Sequence, residues 1–266
     1  MRITVNGAAV HAATGGQDFD PKRPVLLFVH GAGCNRTVWQ QQTRYFAHRG
    51  YAVLAPDLPA HGLSEGPPLD TVPALAGWLD SLLDAAGVAR ATLIGHSLGA
   101  QASLAAAARF PGRVKAMALL GVAARMPVHP DLLAASAVND HLAIDFLAAW
   151  GHGAHTHRGG NTAPGIWQIQ ATVRLQEEAN PGVLSSDFKA ADAYGDALAA
   201  AGKITCPTLF VLGAQDRMTP VRAAAGLVDA IAQSTRIILP ETGHMMMLES
   251  PNPVRAALKD FLGENA

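Results

Sequence analysis

Two hydrophobic rhythms alternate along this chain. The first is a set of short, unbroken apolar runs. Val25-Leu26-Leu27-Phe28-Val29 is the clearest, and residues 51–55, 91–94, 114–120, 207–213 and 235–239 repeat the theme. Runs of this length without polar alternation predict strands covered on both faces. The second rhythm is helical. Val72, Leu75, Ala76, Leu79, Leu82, Leu83 and Ala86 fall three and four residues apart, so the spacing predicts a helix with one face on a sheet, stopped at Gly87. Further helices are predicted over 39–48, 100–108, 221–232 and 251–262. Residues 2–13 alternate weakly around Asn6-Gly7 and read as an edge hairpin, followed by a polar loop to residue 24. Strands alternating with helices predict a mostly parallel sheet with helices on both faces.

The rhythm breaks between residues 123 and 201. No strand pattern is visible there, and helical pieces are predicted at 132–137 and 141–150. This region holds five of the eleven histidines and two of the four tryptophans. It carries four basic and eight acidic residues, a local charge of -4, against a net -1 for the whole chain. It is too apolar to stay unfolded. The pattern therefore predicts a core over 1–122, an inserted, mainly helical lid over 123–201, and the rest of the core over 202–266.

Composition narrows the function. Hydrophobic residues make up 49% and charged residues 15% of the 266, which predicts a single large globular domain with a substantial core. The near-neutral charge gives no reason to expect nucleic acid or an anionic membrane as a partner. No signal-peptide run and no stretch of eighteen apolar residues occurs, so a cytoplasmic protein is expected, monomeric or a homodimer. Cys34 and Cys206 are too few for a disulfide framework or a zinc site, although one bridge between them stays open.

The chemistry concentrates at Gly95-His96-Ser97-Leu98-Gly99, between an apolar run and an alanine-rich helix. Gly-x-Ser-x-Gly in that setting predicts a sharp strand-to-helix turn with an exposed serine at its tip. A serine hydroxyl needs a base, and a parallel sheet gathers its strand-end loops along one edge. His244, reached from the last strand through Pro240-Glu241-Thr242-Gly243, fits that role. Asp216, in Gly213-Ala214-Gln215-Asp216, fits as the carboxylate that orients it. The other acid position, after Gly121, holds Val122-Ala123-Ala124 and offers no carboxylate.

Five segments in order resemble the α/β-hydrolase fold family: His30-Gly31-Ala32-Gly33, residues 56–64 from Pro56 to Ser64, the Ser97 turn, Leu212-Gly213-Ala214-Gln215-Asp216, and Gly243-His244 with Glu249-Ser250-Pro251 behind it. The resemblance implies a doubly wound, mostly parallel eight-stranded sheet with a lid. It also implies a serine hydrolase with Ser97, Asp216 and His244 as its triad. The Leu98 N–H is one expected oxyanion donor. By resemblance the Ala32 N–H is the other, with Gly33 as the fallback. Ala60 departs from the family, which often has glycine before His61.

The expected substrate is a small or medium carboxylic ester, cleaved in carboxylesterase fashion without cofactor or metal. His96, Trp150, Trp167 and Met245 join Gly33 as candidate substrate contacts. His30, Asp57 and His61 are expected to pin their loops, with His61 a lesser candidate for the pocket. His152, His155 and His157 sit among glycines without a completing carboxylate or cysteine, so they read as a mobile lid loop rather than a metal site. Thioester, lactone or carbon–carbon bond hydrolysis, a lyase, and a low-turnover binding protein remain as alternatives. Serine at the turn argues against the aspartate-dependent haloalkane and epoxide hydrolases of this fold.

Overall fold

In the computed structural model, which describes residues 1–160 and 166–265, eight strands form one sheet. The strands are β1 (Arg2–Val5), β2 (Ala8–Ala13), β3 (Val25–Val29), β4 (Ala52–Pro56), β5 (Ala91–His96), β6 (Val114–Leu120), β7 (Thr208–Gly213) and β8 (Ser234–Leu239). Their order is β1-β2-β4-β3-β5-β6-β7-β8. Only the β1–β2 and β2–β4 pairs are antiparallel. The predicted edge hairpin is thus present, and it is fastened to the parallel sheet through β4.

The apolar runs explain the layering. In β3, Val25, Leu27 and Val29 join the core on one face, while Leu26 and Phe28 join the core on the other. All five are buried, as a strand covered on both sides requires. The first face is covered by α2 (Val72–Ala85) and α3 (Leu98–Arg109), the second by α1 (Gln40–Ala47) and α12 (Pro251–Asn265). The side chain of Thr71 caps α2 by accepting the Ala74 N–H, and Pro73 occupies its first turn, where no N–H is missed. The helix predicted over 39–48 starts one residue later, after a 3-10 turn, Arg36–Trp39, capped by Asn35.

Six helices lie between β6 and β7 among the described residues: α4 (Pro130–Ala137), α5 (Leu142–Trp150), α6 (Ala154–His157), α7 (Gln168–Glu177), α8 (Val183–Ala193) and α9 (Ala197–Ala201). The region is helical, as its pattern predicted. The helix expected over 221–232 is shorter: a 3-10 turn, Val221–Ala224, leads into α10 (Ala225–Ala230). The four-residue α11 (Met246–Glu249) follows β8. Cys34 and Cys206 are both free, so no bridge links them. Among the described residues no helix is long and apolar enough to cross a membrane.

Topology locates the site. From β3 the chain crosses to β4 on one side, then returns past β3 to β5 on the other. In doubly wound sheets the crevice at the carboxyl ends of such a strand pair is where ligands bind. The loop after β3 holds Ala32 and the turn after β5 holds Ser97.

Candidate active site

Ser97 has φ 53° and ψ -119°, a strained backbone for a residue with a side chain. Its neighbours show why the turn is spelled with glycines. A Cβ on Gly95 would lie 2.4 Å from the Gly99 carbonyl oxygen, and one on Gly99 would lie 2.4 Å from those of Val29 and His30. The strain is held by hydrogen bonds, because the Ser97 N–H donates to Leu120 at 2.9 Å and its carbonyl accepts from Ala100 and Gln101.

His244 and Asp216 arrive on the loops after β8 and β7. His244 Nδ1 donates to Asp216 Oδ2 at 2.8 Å. Every other contact of the carboxylate is also a donor. The Thr219 hydroxyl reaches Oδ2 at 2.6 Å, and the N–H groups of Met218 and Thr219 reach Oδ1 at 2.8 Å each. Burial opposes ionisation of Asp216, but the adjacent His244 and these hydrogen bonds overcome it and hold the carboxyl well below its usual range. With Nδ1 as donor, a neutral His244 has its free lone pair on Nε2.

His96 is part of the support. Its Nε2–H donates to the His244 carbonyl at 2.9 Å, and the two rings lie 4.7 Å apart. Burial, helped by the neighbouring His244, lowers its pKa from 6.5 to about 3, so the ring is neutral. Gly121, at the end of β6, has φ 58°, and a Cβ there would sit 3.0 Å from His244 Nδ1. At position 121 even a methyl would therefore crowd the ring.

Ser97, Leu98, Ala32, His96, His244, Met245 and Trp150 line one cavity of about 540 Å³. Met126, Leu132, Phe146, Leu147 and Phe188 give it apolar walls, and all come from the segment between β6 and β7. Among the described residues no hydrogen bond joins the Ser97 hydroxyl to His244. Such bonds are often long in unliganded enzymes and tighten around substrate. The N–H groups of Ala32 and Leu98, two of the residues lining the cavity, find no acceptor among the described residues either.

Some expected contacts belong elsewhere. Gly33 does not face the cavity. Its N–H donates to Asp187 Oδ2 at 2.7 Å, which removes it as a fallback oxyanion donor, and a Cβ on it would strike Gln176. Trp167 is 63% exposed just before α7 and lies outside the cavity, to which α7 contributes Thr172 and Gln176 instead. His61 also stays out of it, engaged with Asp187. The expected loose histidine loop is partly helical. His152 is buried, with Nδ1 3.0 Å from the Ala148 carbonyl and Nε2 3.2 Å from the Thr172 hydroxyl. His157 Nε2 donates to the Ala149 carbonyl, and Asn161, at the end of that stretch, is outside the described residues.

Two further residues take roles that the sequence pattern alone does not assign. Thr219 supplies the hydroxyl of the network, and its only signal is its place three residues after Asp216. Glu249 is buried, and its carboxylate accepts from the Gly153 N–H at 2.7 Å, the Thr156 hydroxyl at 2.9 Å and the Gly243 N–H at 3.1 Å. It joins α6 to the loop that carries His244.

A family model described as the alpha/beta hydrolase fold matches residues 24–251. The chain belongs to the α/β-hydrolase fold family. Within this family the chain is 30% identical to 3-oxoadipate enol-lactonase 2 of Acinetobacter baylyi, over 97% of this chain and 96% of that one. It is 28% identical to Protein ABHD8 of Bos taurus, covering 90% of this chain and 56% of the relative, so it spans about half the length of that protein. The crystal structure of the enol-lactonase from Burkholderia xenovorans LB400 has the same fold, with a TM-score of 0.88 and 24% identity, covering 99% of this chain and 100% of that one.

Proposed function

We propose that this α/β-hydrolase-fold protein is a serine hydrolase that opens small or medium carboxylic esters. Ser97 attacks the carbonyl, and His244 Nε2 takes its proton and later returns it to the leaving alcohol. Asp216 keeps His244 in the right tautomer and balances the imidazolium. The N–H groups of Leu98 and Ala32 receive the oxyanion, an interaction whose loss costs on the order of 3 kcal/mol per donor. Water then releases the acyl group from Ser97.

The observation that carries this reading is the Asp216 carboxylate. Each of its four contacts is a donor, His244 is one of them, and His244 shares a cavity with a serine on a strained turn. The apolar cavity suits an alkyl or aromatic group, and the helices between β6 and β7 act as its lid. A lactone is an ester whose two products stay joined, and the enol-lactonase relative favours including lactones in the class.

A fluorophosphonate probe tests the reading directly. It is expected to label Ser97, and Ser97→Ala is expected to abolish both labelling and p-nitrophenyl acetate turnover. Unchanged turnover in that variant would end the serine-hydrolase assignment. A panel of esters, lactones, thioesters and β-diketones, with Ser97→Ala as the blank, then ranks the bond types.

A further inference from the structure

The oxyanion loop is gripped by the helical segment through a buried ion pair. His61 Nε2 lies 2.8 Å from Asp187 Oδ2, and its Nδ1 lies 2.9 Å from the Pro59 carbonyl oxygen. A carbonyl and a carboxylate only accept, so both ring nitrogens carry protons and His61 is an imidazolium. Both partners are buried, and Asp187 is carried by α8, 126 residues away. The same Oδ2 atom also accepts the Gly33 N–H.

The consequence follows from peptide planarity, which sends C=O and the next N–H in opposite directions. The Ala32–Gly33 peptide is held at both edges. Its N–H goes to Asp187 on α8, and its carbonyl accepts from Gln176 Nε2 on α7 at 3.4 Å. The preceding peptide is held by His30, whose Nδ1–H donates to the Gly31 carbonyl at 2.9 Å while its Nε2 accepts the Leu58 N–H. With the Gly31 carbonyl turned to His30, the Ala32 N–H must point the other way.

We propose that Asp187, ion-paired with His61, is the positioning residue of the oxyanion loop, and that the loop takes its working shape only when α7 and α8 are seated. This rests on the reading of the Ala32 N–H as an oxyanion donor. The groups facing the pair are few. His61 meets Asp187 from α8, Asp57 from its own loop and the neutral His30 ring at 4.9 Å, while Asp187 also faces the Cys34 thiol. Asp57 is already paired with Arg36. Burial disfavours the charge on His61, but Asp187 and the hydrogen bonds offset it and raise the pKa above 6.5.

Asp187→Asn separates charge from shape. While His61 stays protonated, the amide oxygen can accept from both Gly33 and His61. Once His61 loses its Nε2 proton, that nitrogen needs a donor, and an amide turned to supply one abandons the Gly33 N–H. The test is kcat and KM of the full chain on p-nitrophenyl acetate from pH 6 to 8.5, with circular dichroism and melting curves for the wild type, Asp187→Ala and Asp187→Asn. Folded Asp187→Ala is expected to lose about 10- to 100-fold in kcat with KM changed less than about threefold. The Asp187→Asn to wild-type kcat ratio is expected to fall about tenfold as pH rises across that range. Wild-type kcat in folded Asp187→Ala, or a ratio flat with pH, would overturn the proposal. If Asp187→Ala does not fold, the ratio decides alone. A wild type that is neither labelled by fluorophosphonate nor active removes the hydrolase reading and this inference with it, whereas an active wild type with a flat ratio removes only the inference.

Discussion

Asp216→Asn should disable the enzyme without unfolding it, and the hydrogen bonds say why. Oδ1 receives two backbone N–H groups, so the asparagine must put its oxygen there. The reverse orientation would leave two buried N–H groups unpaired, at about 1–3 kcal/mol each. The amide nitrogen then faces His244 Nδ1 and the Thr219 hydroxyl. Thr219 can rotate to accept, but His244 must accept at Nδ1 and therefore carry its proton on Nε2, where it cannot take one from Ser97. Restoring the working tautomer sets N–H against N–H and costs about 3 kcal/mol. The imidazolium of the transition state also loses its buried counter-charge, a further cost of about 3 kcal/mol. At about 1.4 kcal/mol per tenfold, kcat should fall about 10⁴-fold. The assay is kcat on p-nitrophenyl acetate, with melting curves to show that the fold persists. Thr219→Val, which removes a hydroxyl donor but keeps the carboxylate, should stay within about tenfold of wild type. An Asp216→Asn variant within tenfold of wild type, or a Thr219→Val as damaging as it, would refute the reasoning.

Acid should destabilise the protein early. Burial lowers the pKa of His30 and His96 to about 3 and of His152 to about 4, while each returns to about 6.5 on unfolding. The unfolded chain then binds up to three more protons between those values, so stability falls as pH drops below 6.5, by up to about 4 kcal/mol per pH unit. A melting temperature flat from pH 6.5 to 4.5 would contradict this. The ionised Asp216 adds to this loss at lower pH. Its folded pKa is depressed, so its contribution is complete above about pH 4 and is lost only in stronger acid. Gly121→Ala should lower kcat about 10- to 100-fold with little change in KM, because the new methyl presses on His244. The positive φ should add about 1–2 kcal/mol of strain, visible as a lower melting temperature. Wild-type kcat in that variant would show that the ring has slack.

What was legible in the sequence is what local physics determines. Val25 to Val29 announced a strand covered on both faces because nothing polar interrupts it. Gly95 and Gly99 announced the turn because backbone oxygens occupy the places their side chains would need. Ala60, flagged as a departure from the family, has φ 68°, the left-handed region that glycine tolerates best. The failures are long-range. Gly33 reads as a fallback oxyanion donor and a substrate contact from its loop alone, because its actual partner, Asp187, lies 154 residues away on an element with no recognisable pattern. Trp167 reads as a cavity contact only as an aromatic residue of the apolar segment, whereas which residues of that segment meet the cavity depends on how its helices stack. The same ignorance hid Phe146, Leu147 and Phe188, which are ordinary apolar residues until α5 and α8 are set over the sheet.

The Glu249 carboxylate makes the helices between β6 and β7 hard to exchange. Its oxygens serve two backbone amides on opposite sides of a seam, Gly153 between β6 and β7 and Gly243 beside His244. A chimera that imported another family member's helices would need a backbone amide at the same place to meet this anion. Without one, the cost would fall on the loop carrying His244. Attempts to retarget this protein by transplanting these helices should therefore move the 241–250 segment with them, as one inheritable unit.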